Sequence, residues 1–247
     1  MKNQYFGDVR DLFKYDLILA IMRGLSTLQG FTFIPMLTED SKTSKGRKEG
    51  NKRDFDKAER DSRPGSQNEE LMNFLKGYKE KEGDKKDFTK IGDYFNSEGI
   101  EMVIHTIHSD YFTDKNRDLY FKNVPPSFLH RSLVFIDPDI GLEIKNSTEK
   151  HLLYREAKYI YESMDDDSIL MIYQHFPREE HEEYLKRRSK DLKATLDNQP
   201  IYLSDNEIIF FLLPKNDEIL GKLTSTINKY KLNYSAKLDT NIYNLSK

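Results

Sequence analysis

Pro125-Pro-Ser-Phe-Leu-His-Arg-Ser-Leu-Val-Phe-Ile-Asp137-Pro-Asp139-Ile-Gly141-Leu-Glu143-Ile-Lys145 is the stretch that decides the fold. Its apolar run, Leu133 to Ile136, is short, unbroken and bounded by turn residues, which predicts a strand buried on both faces. The run ends on Asp137-Pro138-Asp139, so the strand delivers carboxylates to its carboxyl edge, where open α/β sheets bind their ligands. Pro138 restricts Asp137 to extended backbone and aims it outward. Gly141 would let the backbone pass close to a ligand. A purely structural acidic turn is the alternative reading.

Outward from this strand, helical and extended patterns alternate. Leu12, Phe13, Tyr15, Leu17, Ile18, Ile21, Met22 and Leu25 form one apolar stripe at helical period over 8–28, with Asp8 as its cap. Phe31 to Leu37 predicts a first strand that closes at Pro35 and leaves Thr38, Glu39 and Asp40 at its edge. A helix over 67–81, a short amphipathic piece over 88–95, a strand over 101–108 and a helix over 114–122 follow. Beyond the central strand come a helix over 149–163 opened by Ser147-Thr148, a strand over 168–173, and a charged helix over 179–196. Residues 200–203 and 207–213 read as a hairpin, and 215–231 as a last helix. The expected fold class is α/β and Rossmann-like: a mainly parallel sheet with helices on both faces and an antiparallel edge hairpin. One domain spans 1–232. Its stretch 41–65 almost lacks large apolar side chains and reads as a charged, mobile loop; 233–247 reads as a polar tail.

Composition bounds the chemistry. The 247 residues include no cysteine, which excludes disulfides, thiolate metal sites, iron–sulfur clusters and a cysteine nucleophile. No stretch approaches the roughly 18 consecutive apolar residues of a membrane span, and the amino terminus lacks a signal-peptide pattern, so a soluble, cytoplasmic protein without a membrane partner is expected. A net charge of −3 gives no global attraction to nucleic acid. An RNA or DNA partner would have to use local basic patches, of which 42–53 and Lys186–Arg188 are the candidates. Oligomeric state is left open.

In a sheet of this class the strand edges Thr38–Asp40, Ser109–Asp110, Asp137–Glu143 and Gln174–Arg178 converge. Among these, His175 is a candidate base and Arg178 a candidate anion clamp, against a bland reading in which Gln174 and His175 satisfy local backbone groups. His105 and His108 lie three apart on an expected strand and so face opposite sides, which argues against a metal pair. Asp11 and Lys14 have the spacing of a surface ion pair. A Mg²⁺-dependent nuclease or phosphoesterase is the alternative function: Asp139 and Glu143 would hold the metal and Lys145 would assist the attacking water. Only three residues separate Asp139 from Glu143, little room for the turn and return strand such sites use.

Three segments carry a resemblance. Tyr5-Phe-Gly-Asp-Val-Arg-Asp-Leu-Phe-Lys-Tyr15, Val124-Pro-Pro with Arg131-Ser-Leu-Val-Phe-Ile-Asp-Pro-Asp139, and Ile172-Tyr-Gln-His-Phe-Pro177 recur in order and spacing over about two-thirds of the chain. Together they resemble the class I S-adenosylmethionine-dependent methyltransferases of the bacterial 23S ribosomal-RNA adenine-N6 family and, more loosely, the three-cysteine-motif partner proteins. The resemblance implies methyl transfer from S-adenosylmethionine to an amino group of a nucleic-acid base. It implies that Asp137 contacts the target amine, that Lys14 lies by the cofactor and that Asp110 lies near the cofactor or target pocket. Asp139 and His175 as further catalytic candidates, and Thr38 as a further cofactor-binding one, come from their places at the strand edges. Two departures stand out: Ile34-Pro-Met-Leu-Thr-Glu-Asp40 lacks the glycine loop that follows the first strand in the family, and Asp139-Ile140 replaces a Pro-Tyr pair. A non-catalytic binding or partner protein on a degenerate Rossmann-like fold is the third reading.

Overall fold

Side-chain alternation along the central strand sets the architecture. In a computed structural model, which describes residues 1–40, 54–77, 87–106 and 111–242, this strand is β3, Ser132–Asp137. Leu133 and Phe135 enter one core, Val134 and Ile136 the other, as a period of two requires. Strands β1 (Gly30–Pro35) and β2 (Met102–Ile104) lie on one side of β3, and β6 (Ile169–His175), β8 (Ile208–Pro214), β7 (Ile201–Ser204) and β9 (Asp239–Thr240) on the other, in the order β2-β1-β3-β6-β8-β7-β9. The first four are mutually parallel. From β6 onward each pairing is antiparallel. The protein is thus α/β with a mixed seven-stranded sheet, and a small parallel pair, β4 (Gly141–Leu142) with β5 (His151–Leu152), stands apart from it.

Helices cover both faces. On the Leu133/Phe135 face lie α1 (Val9–Gly24), α2 (Phe55–Arg60), α3 (Glu69–Gly77), α4 (Ile91–Ser97) and α8 (Asp217–Asn233), whose buried residues share one cluster with that face. The other face carries α5 (Arg117–Lys122), α6 (Tyr154–Ser163) and α7 (His181–Leu196). An aromatic layer runs across the first core: Phe33 stacks on Phe135 at 5.4 Å, and Phe13 of α1 meets Phe210 edge-on at 5.0 Å. Such contacts seat α1 directly over β3, β6 and β8. Among the described residues no helix is long and apolar enough to cross a membrane.

Several boundaries differ from the sequence reading. Ser147-Thr148 does not open α6, because the chain first forms β5; Glu143 and Glu156 cap the helix instead, accepting from the Tyr154 and Leu153 amides at 2.8 and 2.9 Å. The stretch read as a mobile loop, 41–65, contains α2, which buries Phe55 and Ala58; residues 41–53 lie outside the described residues. Beyond 233, β9 adds an edge strand to β7 through Leu203 and Thr240. The hairpin forms as expected, but its second strand inserts beside β6 and is wholly interior, with β7 and β9 outside it.

Candidate functional site in the switch-point crevice

After β1 the chain crosses to β2 on one side, then returns to β3 on the other, so the strand order reverses between β1 and β3. Crevices at such reversals, outside the carboxyl ends of the strands, are where α/β sheets bind ligands. Pro35 and Asp137 are register partners at that point. Asp137 continues the Leu133–Phe135 series, and Tyr173 and His175 continue the Ile169–Met171 series, so alternation points all three toward α1.

Helix α1 answers with Lys14. Its ammonium is 2.8 Å from Asp137 Oδ2 and 3.0 Å from Asp11 Oδ1, and all three side chains are buried. The other oxygen of Asp11 accepts from the Gly7 amide at 2.8 Å. Burial alone would pull the Lys14 pKa down, yet Asp11 and Asp137 outweigh it and hold the ammonium well above its ordinary value. The same ammonium lies 5.0 Å from the Tyr173 ring centroid. Asp8 caps α1 by accepting from the Arg10 amide, and burial with the nearby Asp11 pushes its carboxyl up to about 7. His175 Nε2 is 3.2 Å from the Tyr173 hydroxyl, and burial, aided by Arg10, lowers the imidazole to about 4, so the ring is neutral near pH 7.

Asp139 has a different set of partners. The Met1 ammonium lies 3.6 Å from Oδ1 and the Lys2 ammonium 3.8 Å from Oδ2. Met1 also donates from its ammonium to the Met36 carbonyl at 3.0 Å, and its own carbonyl accepts from the Thr38 amide at 2.9 Å and the Thr38 hydroxyl at 3.3 Å. The crevice wall therefore gathers four acids, Asp8, Asp11, Asp137 and Asp139, and four basic groups, Lys2, Arg10, Lys14 and the Met1 amine, which burial lowers to about 6, around a cavity of about 50 Å³. That is little more than the roughly 30 Å³ a water occupies in the liquid.

The chain matches no protein-family model and no curated protein.

Of the residues singled out in the sequence, Lys14, Asp137, Asp139 and His175 come together on this one crevice. Thr38 lies at its rim, holding Met1. Asp110 and His108 lie outside the described residues. Glu143 does not join Asp139: its carboxylate caps α6, while Asp139 binds the amino-terminal ammonium groups, and Lys145 is exposed. Among the described residues no cluster of three or more metal-binding side chains occurs. Asp11 and Lys14 are not a surface pair, because α1 presses them against β3. Gly141 serves a neighbour rather than a ligand. With φ at +144°, it lets the Gln174 amide approach so closely that a Cβ would fall 2.2 Å from it. Gln174 Oε1 accepts there from the Leu142 amide at 2.6 Å and fixes the loop after Asp139. The His105 ring is likewise structural, its Nε2 2.8 Å from the Tyr120 carbonyl.

Outside the crevice, Arg178 faces an open groove of about 540 Å³ shared with Phe176 and His181, and Arg10 and His175 form the boundary between groove and crevice. The Lys186–Arg188 patch is largely neutralised within α7 and its approach: Lys186 pairs with Glu182, Arg187 with Glu179, and Arg188 donates to the Glu143 carbonyl. Sequence reasoning missed Asp8 and Tyr173 as site residues, and Met1 and Lys2 with them. Asp8, Asp11 and Lys14 recur every three residues, and Tyr173 precedes His175 by two on a strand; both spacings already put them on shared faces.

Proposed function

We propose that the protein is methyltransferase-like, taking S-adenosylmethionine in the crevice between β1 and β3 and acting on an amino group of a nucleic-acid base. The observation that carries this reading is the contact of Lys14 with Asp137, 123 residues apart in sequence, at the reversal of strand order between β1 and β3. The donor set around Met1 supports it. Asp139 and the Met36 carbonyl hold the Met1 amino group, and the Thr38 amide holds the carbonyl beyond it. Those are the groups that would hold the amino-acid end of S-adenosylmethionine in place of Met1; the cavity of about 50 Å³ beside them does not admit the whole cofactor.

When bound, the cofactor supplies an electrophilic methyl group. Asp137 accepts hydrogen bonds from the target amine and so orients its lone pair, and Lys14 holds that carboxylate at the mouth of β3. The neutral ring of His175, on the groove side of Asp137, receives the proton the amine sheds. Removal of this amine contact by Asp137→Asn is expected to cost at least tenfold in methyl transfer while leaving cofactor affinity within threefold. The primary test is calorimetric titration with S-adenosylmethionine, and with Mg²⁺ separately. Heat from Mg²⁺ alone would overturn the methyltransferase reading in favour of metal-dependent hydrolysis.

A second reading has its own observation. The stretch Pro35-Met-Leu-Thr38 contains no glycine, and its Met36 carbonyl and Thr38 amide are already engaged by Met1, as suits a non-catalytic protein on this fold. Absence of heat from both ligands, with the intact protein and with residues 1–4 removed, would favour it.

A further inference from the structure

We infer that the groove where α1, α3, α4 and α8 meet is a binding site for a linear polyamine, with Asp16 at its floor and Glu69 and Glu70 at its rim. It shares no residue with the switch-point crevice, so the inference stands apart from the cofactor reading.

Helical spacing builds the groove. Asp16, Ala20 and Arg23 follow one another at steps of four and three along α1, and Tyr230, Asn233 and Tyr234 at three and one along α8, so each set lies on one face. Tyr94 of α4 and Asn68, just before α3, complete the walls around a space of about 560 Å³. Asn68 is the fixed point of the floor. Its Oδ1 accepts from the Leu71 amide at 3.0 Å, which turns Nδ2 to donate to Asp16 Oδ1 at 2.9 Å.

The floor carries a negative charge without a cation. Asp16 is half-buried and makes no ion pair among the described residues, and burial raises its carboxyl above the ordinary value. Arg23, the basic side chain among the described lining residues, is engaged by Glu98. Glu69 and Glu70 are exposed and likewise make no ion pair among the described residues. A second observation points to a ligand. Tyr230 is 5% exposed and turns its hydroxyl toward Asp16, yet that hydroxyl completes no hydrogen bond of good geometry. Buried polar groups left in this state are costly, and an ammonium at the floor would donate to the hydroxyl oxygen and to Asp16 together.

The arrangement of acceptors selects the ligand. One sunken carboxylate and two at the rim match a chain carrying several ammonium groups better than a single point charge. The tyrosine and amide side chains between them accept from N–H groups along the way. A divalent metal ion needs several oxygen ligands converging on one point, and no group of three metal-binding side chains occurs among the described residues.

Calorimetric titration of the full chain with the triamine spermidine at low ionic strength tests the site, and a single saturable event is expected. Asp16→Asn is expected to weaken binding at least tenfold. Glu69→Gln combined with Glu70→Gln is expected to weaken it three- to fivefold, although it removes twice the charge, because the sunken carboxylate acts through less water. Glu182→Gln combined with Glu183→Gln, an exposed pair on α7, removes the same charge elsewhere and is expected to leave affinity within twofold. Diffuse attraction to an acidic surface predicts the reverse order, with both double variants weakened alike and Asp16→Asn least. That order, the absence of saturable heat, or equal displacement of spermidine by Mg²⁺ at matched charge would overturn the site. If Asp16→Asn does not unfold cooperatively, the contrast between the α3 and α7 pairs, all exposed positions, decides alone.

Discussion

Replacing Lys14 by methionine keeps the length of the side chain and removes the one cation that two buried carboxylates share. At an effective dielectric of 20, contacts of 2.8 and 3.0 Å correspond to gross attractions of about 5 to 6 kcal/mol each. Most of that offsets the desolvation of the three charges. What remains measurable is the penalty for leaving Asp11 and Asp137 facing each other uncompensated, about 3–5 kcal/mol for a broken buried pair. For a chain of 247 residues this lowers the melting temperature by roughly 6–20 °C. The penalty belongs to ionised carboxylates, and burial raises the Asp11 carboxyl above its ordinary value, so it should shrink as pH falls and Asp11 takes up a proton. Urea unfolding of the wild type and Lys14→Met at pH 7.5 and pH 5 measures both quantities. The double variant Lys14→Met with Asp137→Asn, which removes one of the repelling charges, should recover at least half of the loss. A loss below about 1 kcal/mol, or one independent of pH, would refute the assignment of Lys14 as the charge that holds the crevice together.

Other outcomes follow from the same geometry. Asp8, with its carboxyl raised to about 7, binds its proton more tightly folded than unfolded, so the wild type should lose stability relative to Asp8→Asn as pH rises from about 4 to 7; parallel stability curves over that window would contradict the burial argument. His175 is depressed to about 4 and behaves in the opposite sense: relative to His175→Gln the wild type should lose stability as pH falls from about 6.5 to 4, which chemical denaturation across that range detects. Gly141→Ala drives a methyl into the Gln174 amide at a strained φ and should destabilise by about 1–3 kcal/mol in urea titrations, whereas Gly92→Ala, at a helical position with open space around it, should change stability by less than about 0.5 kcal/mol.

What sequence reading recovers here is what local pattern encodes. The uninterrupted runs Leu133–Ile136 and 208–213 fix their strands to within a residue, and the stripe from Leu12 to Leu25 fixes a helix to within a turn, because each is an apolar pattern whose burial the local sequence dictates. Asp137, Asp139 and His175 could be placed at one edge since they terminate two such strands. The extra structure at 151–152 and 239–240 was not readable, as two-residue strands exist only through their tertiary pairing, Gly141 with His151 and Leu203 with Thr240. The partner of Asp137 illustrates the same limit. Spacing along α1 suggests that Lys14 meets Asp11, and it does, but nothing local says that α1 packs over β3 and converts a surface pair into a buried triad. The contacts of Met1 and Lys2 were not readable for a related reason: their partners, Met36, Thr38 and Asp139, belong to two loops far along the chain.

The long sequence separation inside the triad has a consequence for how the chain acquires its fold. During synthesis from the amino end, α1 is made early with Asp11 beside Lys14, yet the second carboxylate that compensates Lys14 arrives 123 residues later. At the roughly 5–20 residues per second of translation, that is an interval of about 6–25 s. Through that interval α1 carries an apolar stripe that wants burial and a lysine that resists it. A helix docked before β3 is in place would bury Lys14 with Asp11 alone for compensation, and one docked in the wrong register would bury it away from Asp137. The buried triad thus ties the correct seating of α1 to β3 as well as walling the crevice.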